Sequence, residues 1–127
     1  MRIGSLSILT LFVLGGCACK PTSQKYSVYF ENNSIVLNDQ AQETVHSAAD
    51  FAQTHLSQHI AVVGFAGPAD PGQVAGDLPA KRADAVKQAL VARGVDAARI
   101  TATSKGEIDP KALPDVAVRR VDISVGG

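Results

Sequence analysis

The sequence predicts an α+β fold, a two-layer sandwich in which two helices cover one face of a single mixed sheet. Three observations carry that expectation. Two segments repeat apolar residues at helical spacing, and four short segments are rich in β-branched and aromatic residues or alternate apolar with polar ones. These alternate as strand, helix, strand, helix, strand, strand. The chain has 127 residues, room for one domain. Its 46% hydrophobic and 19% charged composition supports a packed core and excludes a disordered chain. Formal net charge is zero, so overall charge points to neither nucleic acid nor a polybasic membrane surface.

The first strand is expected over Tyr26–Glu31, YSVYFE, and Asn32-Asn33-Ser34 ends it with turn residues. Asn38 or Asp39 then caps a helix, Asp39 with Gln42 forming a capping-box pattern. Val45, Ala48, Ala49, Ala52 and Leu56 make its buried stripe. His46, His55 and His59 fall on or near this helix. The spacing of His55 and His59 suits a metal pair, yet no third ligand stands nearby, so solvated or capping roles are expected. Ile60–Phe65, IAVVGF, is a continuous apolar run suited to a buried central strand. A glycine- and proline-rich loop follows. Asp77 can cap the second helix and Pro79 is tolerated in its first turn. Ala83, Val86 and Leu90 form its buried stripe, Lys81, Asp84, Lys87 and Arg93 its wet side, and Gly94 its left-handed end. Arg99–Ser104 reads as a third strand and 106–114 as a loop. Val121, Ile123 and Val125 alternate with Asp122 and Ser124 in the last strand.

The first residues read as a targeting segment. Arg2 is followed by an apolar run, Ile3 to Leu14, too short to span a membrane. Leu14-Gly15-Gly16-Cys17 resembles the bacterial lipobox, which implies a signal peptide over 1–16 and a lipidated Cys17. A conventional secretory peptide, with Cys17 and Cys19 as ordinary thiols, is the alternative. Ala18 after the cysteine implies delivery to the outer membrane in the lipoprotein sorting pattern, and three acyl chains, as such lipoproteins carry, would make the anchor permanent. Residues 17–25 form the lipidated start and a polar tether. Ala18 to Lys25 spans at most about 26–29 Å, which keeps the domain at 26–127 close to the membrane. No CxxC or His/Cys cluster suggests zinc, and no cofactor is implied.

The stretch Gly64–Ala83, GFAGPADPGQVAGDLPAKRA, joins a strand end to a helix start, the place where binding groups commonly sit. Phe30, the Asn33-Ser34 turn, Leu37, Gly64, Leu78, Arg82-Ala83, Gly94, Arg99-Ile100, Gly106-Glu107 with Pro110, and Arg119-Arg120-Val121 fall in an order and spacing that resemble the OmpA-like domain family. That family includes peptidoglycan-associated lipoproteins and the periplasmic domains of flagellar motor proteins. The resemblance covers nearly all of residues 26–126 and implies a βαβαββ fold. It also implies a ligand, the diaminopimelate of the peptidoglycan stem peptide, whose free end carries an ammonium and a carboxylate.

Arg82 stands at the family's arginine, whose planar fork suits the carboxylate. The family's acid stands three residues after the glycine, in a Gly-x-Thr-Asp pattern. Here Gly64-Phe65-Ala66-Gly67 puts glycine at that position, and Asp70 is the nearest replacement. Losing a hydrogen bond to a charged group costs about 1.5–3 kcal/mol, roughly ten- to hundredfold in affinity. Pro79 in place of serine and Val118 in place of asparagine depart from the pattern in the same direction. Arg82 also has an ordinary reading, as a solvated side chain or a partner of Asp77 or Asp84. Arg119 and Arg120 carry the same two readings, with Arg119 the further candidate for the ligand.

Two functions are consistent with these residues. One is an outer-membrane lipoprotein whose periplasmic domain grips peptidoglycan through Arg82, Asp70 and Arg119. The other is an envelope scaffold or assembly subunit, with a protein partner, that keeps the fold without the ligand. No enzyme is expected, because no nucleophile and base, phosphate-binding glycine loop or metal set is recognisable, and Asp109 and Asp115 form no catalytic dyad.

Overall fold

The computed structural model describes residues 23–66, 77–107 and 115–126. Four strands and two long helices alternate as the sequence predicts. They are β1 (Gln24–Tyr29), α1 (Asp39–Thr54), β2 (Ile60–Ala66), α2 (Asp77–Ala92), β3 (Ile100–Glu107) and β4 (Arg120–Val125). A 3-10 turn at Ala97–Arg99 precedes β3, and a short helix α3 (Asp115–Val118) precedes β4. The sheet order is β1-β4-β2-β3. β4 runs antiparallel to both of its neighbours, and β2 and β3 are parallel.

The last strand therefore fills the middle of the sheet. Val121, Ile123 and Val125 point to the helices and are fully buried, while Arg120, Asp122 and Ser124 turn to the helix-free face. Val28 of β1 and Ile60 and Val62 of β2 join the same core. Ala41, Val45, Ala48, Ala49 and Ala52 face it from α1, and Ala83, Val86 and Leu90 from α2. Small alanine side chains let α1 lie close to the sheet, and full burial of each larger aliphatic residue contributes about 1.5–3 kcal/mol.

Local chemistry explains the helix ends. Asn38 is the N-cap of α1, its side-chain oxygen accepting from the Ala41 amide at 2.9 Å. Asp39 already lies inside the helix, so the capping box expected with Gln42 does not form, and Gln42 instead donates to the Leu37 carbonyl. α1 stops at Thr54, which leaves Leu56 outside the stripe and 74% exposed. Gly94 ends α2 with φ +93°, a conformation glycine adopts without the Cβ penalty.

Three further boundaries differ from expectation. β1 runs from Gln24 to Tyr29 because its pairing with β4 extends to Gln24 opposite Val125. Phe30, beyond the strand end, is nonetheless buried. β3 continues through Gly106 and Glu107, past the point where a loop was expected, by a bulge: the step from Gly64 to Ala66 on β2 matches the longer step from Ser104 to Glu107 on β3.

Candidate functional site

At the C-terminal end of β2 the chain meets the first turn of α2 at very short range. A Cβ placed on Gly64 would lie 1.9 Å from the Pro79 carbonyl oxygen and 3.2 Å from the Ala83 Cβ. Only glycine permits this approach, because the obstacle is backbone. Leu78 and Pro79 are buried in the same contact, and proline in the first helical turn gives up no intrahelical hydrogen bond.

One turn on, Arg82 points inward. It is fully buried, and among the described residues it is the one charged side chain so placed. Its Nε donates to the Ser34 carbonyl at 3.0 Å, Nη2 to the Glu31 carbonyl at 3.1 Å and Nη1 to the Phe65 carbonyl at 3.4 Å. The guanidinium also lies over the Phe30 ring, 5.4 Å from its centre, within range of a cation–π attraction. A buried cation is costly unless its donors are met. Here backbone carbonyls meet them, and α2, the end of β2 and the loop between β1 and α1 are tied to one side chain.

Phe30 is held from a second side as well. Its amide donates to the Arg119 carbonyl at 2.9 Å, and the Arg119 Nε donates back to the Phe30 carbonyl at 3.4 Å. Arg120 turns to the helix-free face, where it lies 4.8 Å from the Phe65 ring centre and pairs with Asp122 at 3.0 Å. The two adjacent arginines thus separate: Arg119 belongs to the Arg82 side, Arg120 to the open sheet face.

Among the candidates read from the sequence, Arg82 and Arg119 come together around Phe30. Arg82 is neither solvated nor paired with Asp77 or Asp84, which corrects that ordinary reading: both acids are exposed, and Asp84 accepts from Gln88 instead. Asp70, Gly67 and Cys17 lie outside the described residues. Val118 is fully buried beside the Arg119 backbone and offers no polar atom to a ligand.

The histidines each have local partners. His55 is the C-cap of α1, stacks on Phe51 and contacts the Phe51 carbonyl at 2.8 Å. His59 meets the Thr101 hydroxyl at 2.8 Å, and His46 lies between Arg93 and Asp50. Among the described residues no three metal-ligating side chains converge.

Reading residue types could not find Glu31, Ser34 and Phe65 as site residues, because each contributes its carbonyl. Arg99 is a second arginine of this kind. Its guanidinium donates to the carbonyls of Ala52, His55 and Gln58 at 2.9–3.1 Å, which satisfies acceptors at the end of α1.

A βαβαββ sandwich with a glycine closing its second strand and an arginine buried in the next helix start defines the class of OmpA-like domains. The chain belongs to the OmpA family, whose model matches residues 29–123. It is 34% identical over 85 residues to outer membrane porin F of Pseudomonas fluorescens, covering 67% of this chain but 26% of the porin. The chain therefore spans about a quarter of that relative.

The peptidoglycan-associated lipoprotein of Burkholderia pseudomallei has a similar structure, with TM-score 0.68 and 29% identity over 79% of this chain and 89% of that one. The C-terminal domain of Helicobacter pylori MotB superposes with TM-score 0.66 at 27% identity, covering 76% and 81% of the two chains.

Proposed function

We propose that this chain is an outer-membrane lipoprotein, anchored through Cys17, whose OmpA domain associates non-covalently with peptidoglycan. The observation that carries the reading is Arg82, a fixed cation at the helix start where the family resemblance places its carboxylate-binding arginine. The Nη1 bond to Phe65 is the longest of the three described, at 3.4 Å. A stem-peptide carboxylate reaching the guanidinium would form a charge-assisted hydrogen bond with it. Asp70 supplies the acid for the ligand's ammonium, and Arg119 steadies Phe30 beneath the guanidinium. The similarity to a peptidoglycan-associated lipoprotein supports the same assignment.

Co-sedimentation of the purified chain with purified sacculi tests this. Wild type is retained weakly, Asp70→Ala less, and Gly67→Asp, which restores an acid three residues after Gly64, at least about tenfold better. If neither wild type nor Gly67→Asp is retained, the reading fails. The second reading, an envelope scaffold that has lost the ligand, then takes its place. Buried, apolar Val118 where the resemblance expects asparagine is the observation that favours it.

A further inference from the structure

A cleft opens where β1 meets the first turns of α1. It is lined by Ser27, Tyr29, Asn38, Gln40, Ala41 and Thr44 and holds about 90 Å³. One water needs roughly 10–15 Å³ measured this way, so a group of several heavy atoms fits. No charged residue lines the cleft, which argues against an ionic ligand. Donors and acceptors are both present, with buried Ala41 as an apolar floor.

Part of this polar set is already committed. The Asn38 oxygen takes the Ala41 amide, the Ser27 hydroxyl donates to Asp122, and the Thr44 hydroxyl donates to the Gln40 carbonyl while its lone pairs can still accept. The Gln40 amide and the Tyr29 hydroxyl have no hydrogen-bond partner among the described residues, and Tyr29 is 47% exposed. β1 is an outer strand, so its free edge adds unpaired backbone N–H and C=O groups. A neutral group with one N–H, one C=O and one methyl matches this lining: an acetamido group.

We infer that the cleft is a subsite for an N-acetylated amino sugar, the methyl resting on Ala41, the amide facing the β1 edge and Gln40, and the sugar ring against Tyr29. The inference deepens the peptidoglycan reading and rests on it for the source of the sugar, since the glycan strand carries such groups beside each stem peptide. The layout agrees: the segment whose Glu31 and Ser34 carbonyls hold Arg82 is flanked by Tyr29 and Asn38, both lining the cleft. Stem peptide and glycan would then lie on neighbouring parts of one surface.

The test is a nuclear magnetic resonance titration of the full chain with the N-acetylglucosamine trimer, which has acetamido groups and no stem peptide, against the deacetylated glucosamine trimer. Saturable shifts are expected in the amides of Ser27–Tyr29 and Asn38–Thr44 with the first sugar. Binding of the second, and of the first to Tyr29→Ala or Gln40→Ala, is expected to be at least tenfold weaker.

Both substitutions are of exposed side chains, and unchanged spectra elsewhere verify the fold. Absence of saturable shifts in the cleft, equal binding of the deacetylated trimer, or indifference to both substitutions overturns the inference. Sacculus retention separates the two ideas. Retention without trimer binding sinks the sugar subsite alone, whereas trimer binding with a retention that neither Asp70→Ala nor Gly67→Asp changes sinks the stem-peptide reading and leaves the subsite standing.

Discussion

Replacing Arg82 by methionine should destabilise the domain as well as alter any ligand site, and the size of the effect follows from its contacts. The substitution keeps an unbranched stem but deserts three carbonyls, at Ser34, Glu31 and Phe65, and the contact with the Phe30 ring. A buried acceptor left without its donor costs about 1–3 kcal/mol. Against that loss, methionine spares the chain the desolvation of a charge, a term of several kcal/mol. The net expectation is a loss of about 3 kcal/mol, since three acceptors lose their donor at about 1–3 kcal/mol each and the spared desolvation offsets part of that sum.

For a domain of this size, that lowers the melting temperature by about 12–24 °C. Urea unfolding followed by circular dichroism measures it. Lysine at the same position, with one ammonium in place of a planar fork, should fall between methionine and wild type. If Arg82→Met unfolds within about 0.5 kcal/mol of wild type, the three-carbonyl tie is energetically idle and the coupling of α2 to the β1–α1 loop is wrong.

Three other outcomes follow from the same structure. Gly64→Ala forces a Cβ against the Pro79 carbonyl and should cost about 3 kcal/mol, the upper end for overpacking, read by the same unfolding curves. Arg99→Ala frees the carbonyls of Ala52, His55 and Gln58 and should cost about 2 kcal/mol, with faster amide hydrogen exchange concentrated in the last turn of α1. Burial first, and the charge of Asp50 second, raise the Tyr26 hydroxyl above its ordinary value of 10.0. The folded state then holds that proton longer than the unfolded chain, so its contribution is complete below about pH 10 and is lost as pH rises through the raised value. Tyr26→Phe should remove this alkaline step from a stability–pH profile.

Periodicity was enough to reveal the layers, because the apolar stripes of α1 and α2 and the alternation in β4 are each set by burial against one face. It placed Val45, Ala52, Val86 and Leu90 inside, and Val121, Ile123 and Val125 as well. It failed at Leu56, where the apolar spacing continues past the helix end, since a pattern carries no record of where the backbone turns. The start of β1 at Gln24 and the extension of β3 to Glu107 were equally hidden, because each depends on how far a partner strand reaches.

The site divides in the same way. Gly64, Pro79 and Arg82 were legible as residue types in a recognisable order, but their physical relation was not. Gly64 is fixed by a neighbouring carbonyl, and Arg82 by three backbone carbonyls of residues whose side chains have no common character.

That difference changes how a functional test must be built. An arginine expected to face a ligand would be probed by truncation to alanine, with lost binding taken as lost recognition. Here the same truncation also releases the loop from Glu31 to Ser34 and the end of β2, so lost sacculus binding would report the collapse of the site as readily as the loss of a contact. Adding an acid at Gly67 or removing one at Asp70 takes away none of the carbonyls of Glu31, Ser34 and Phe65 that hold Arg82, so such changes weigh ligand chemistry apart from those three bonds.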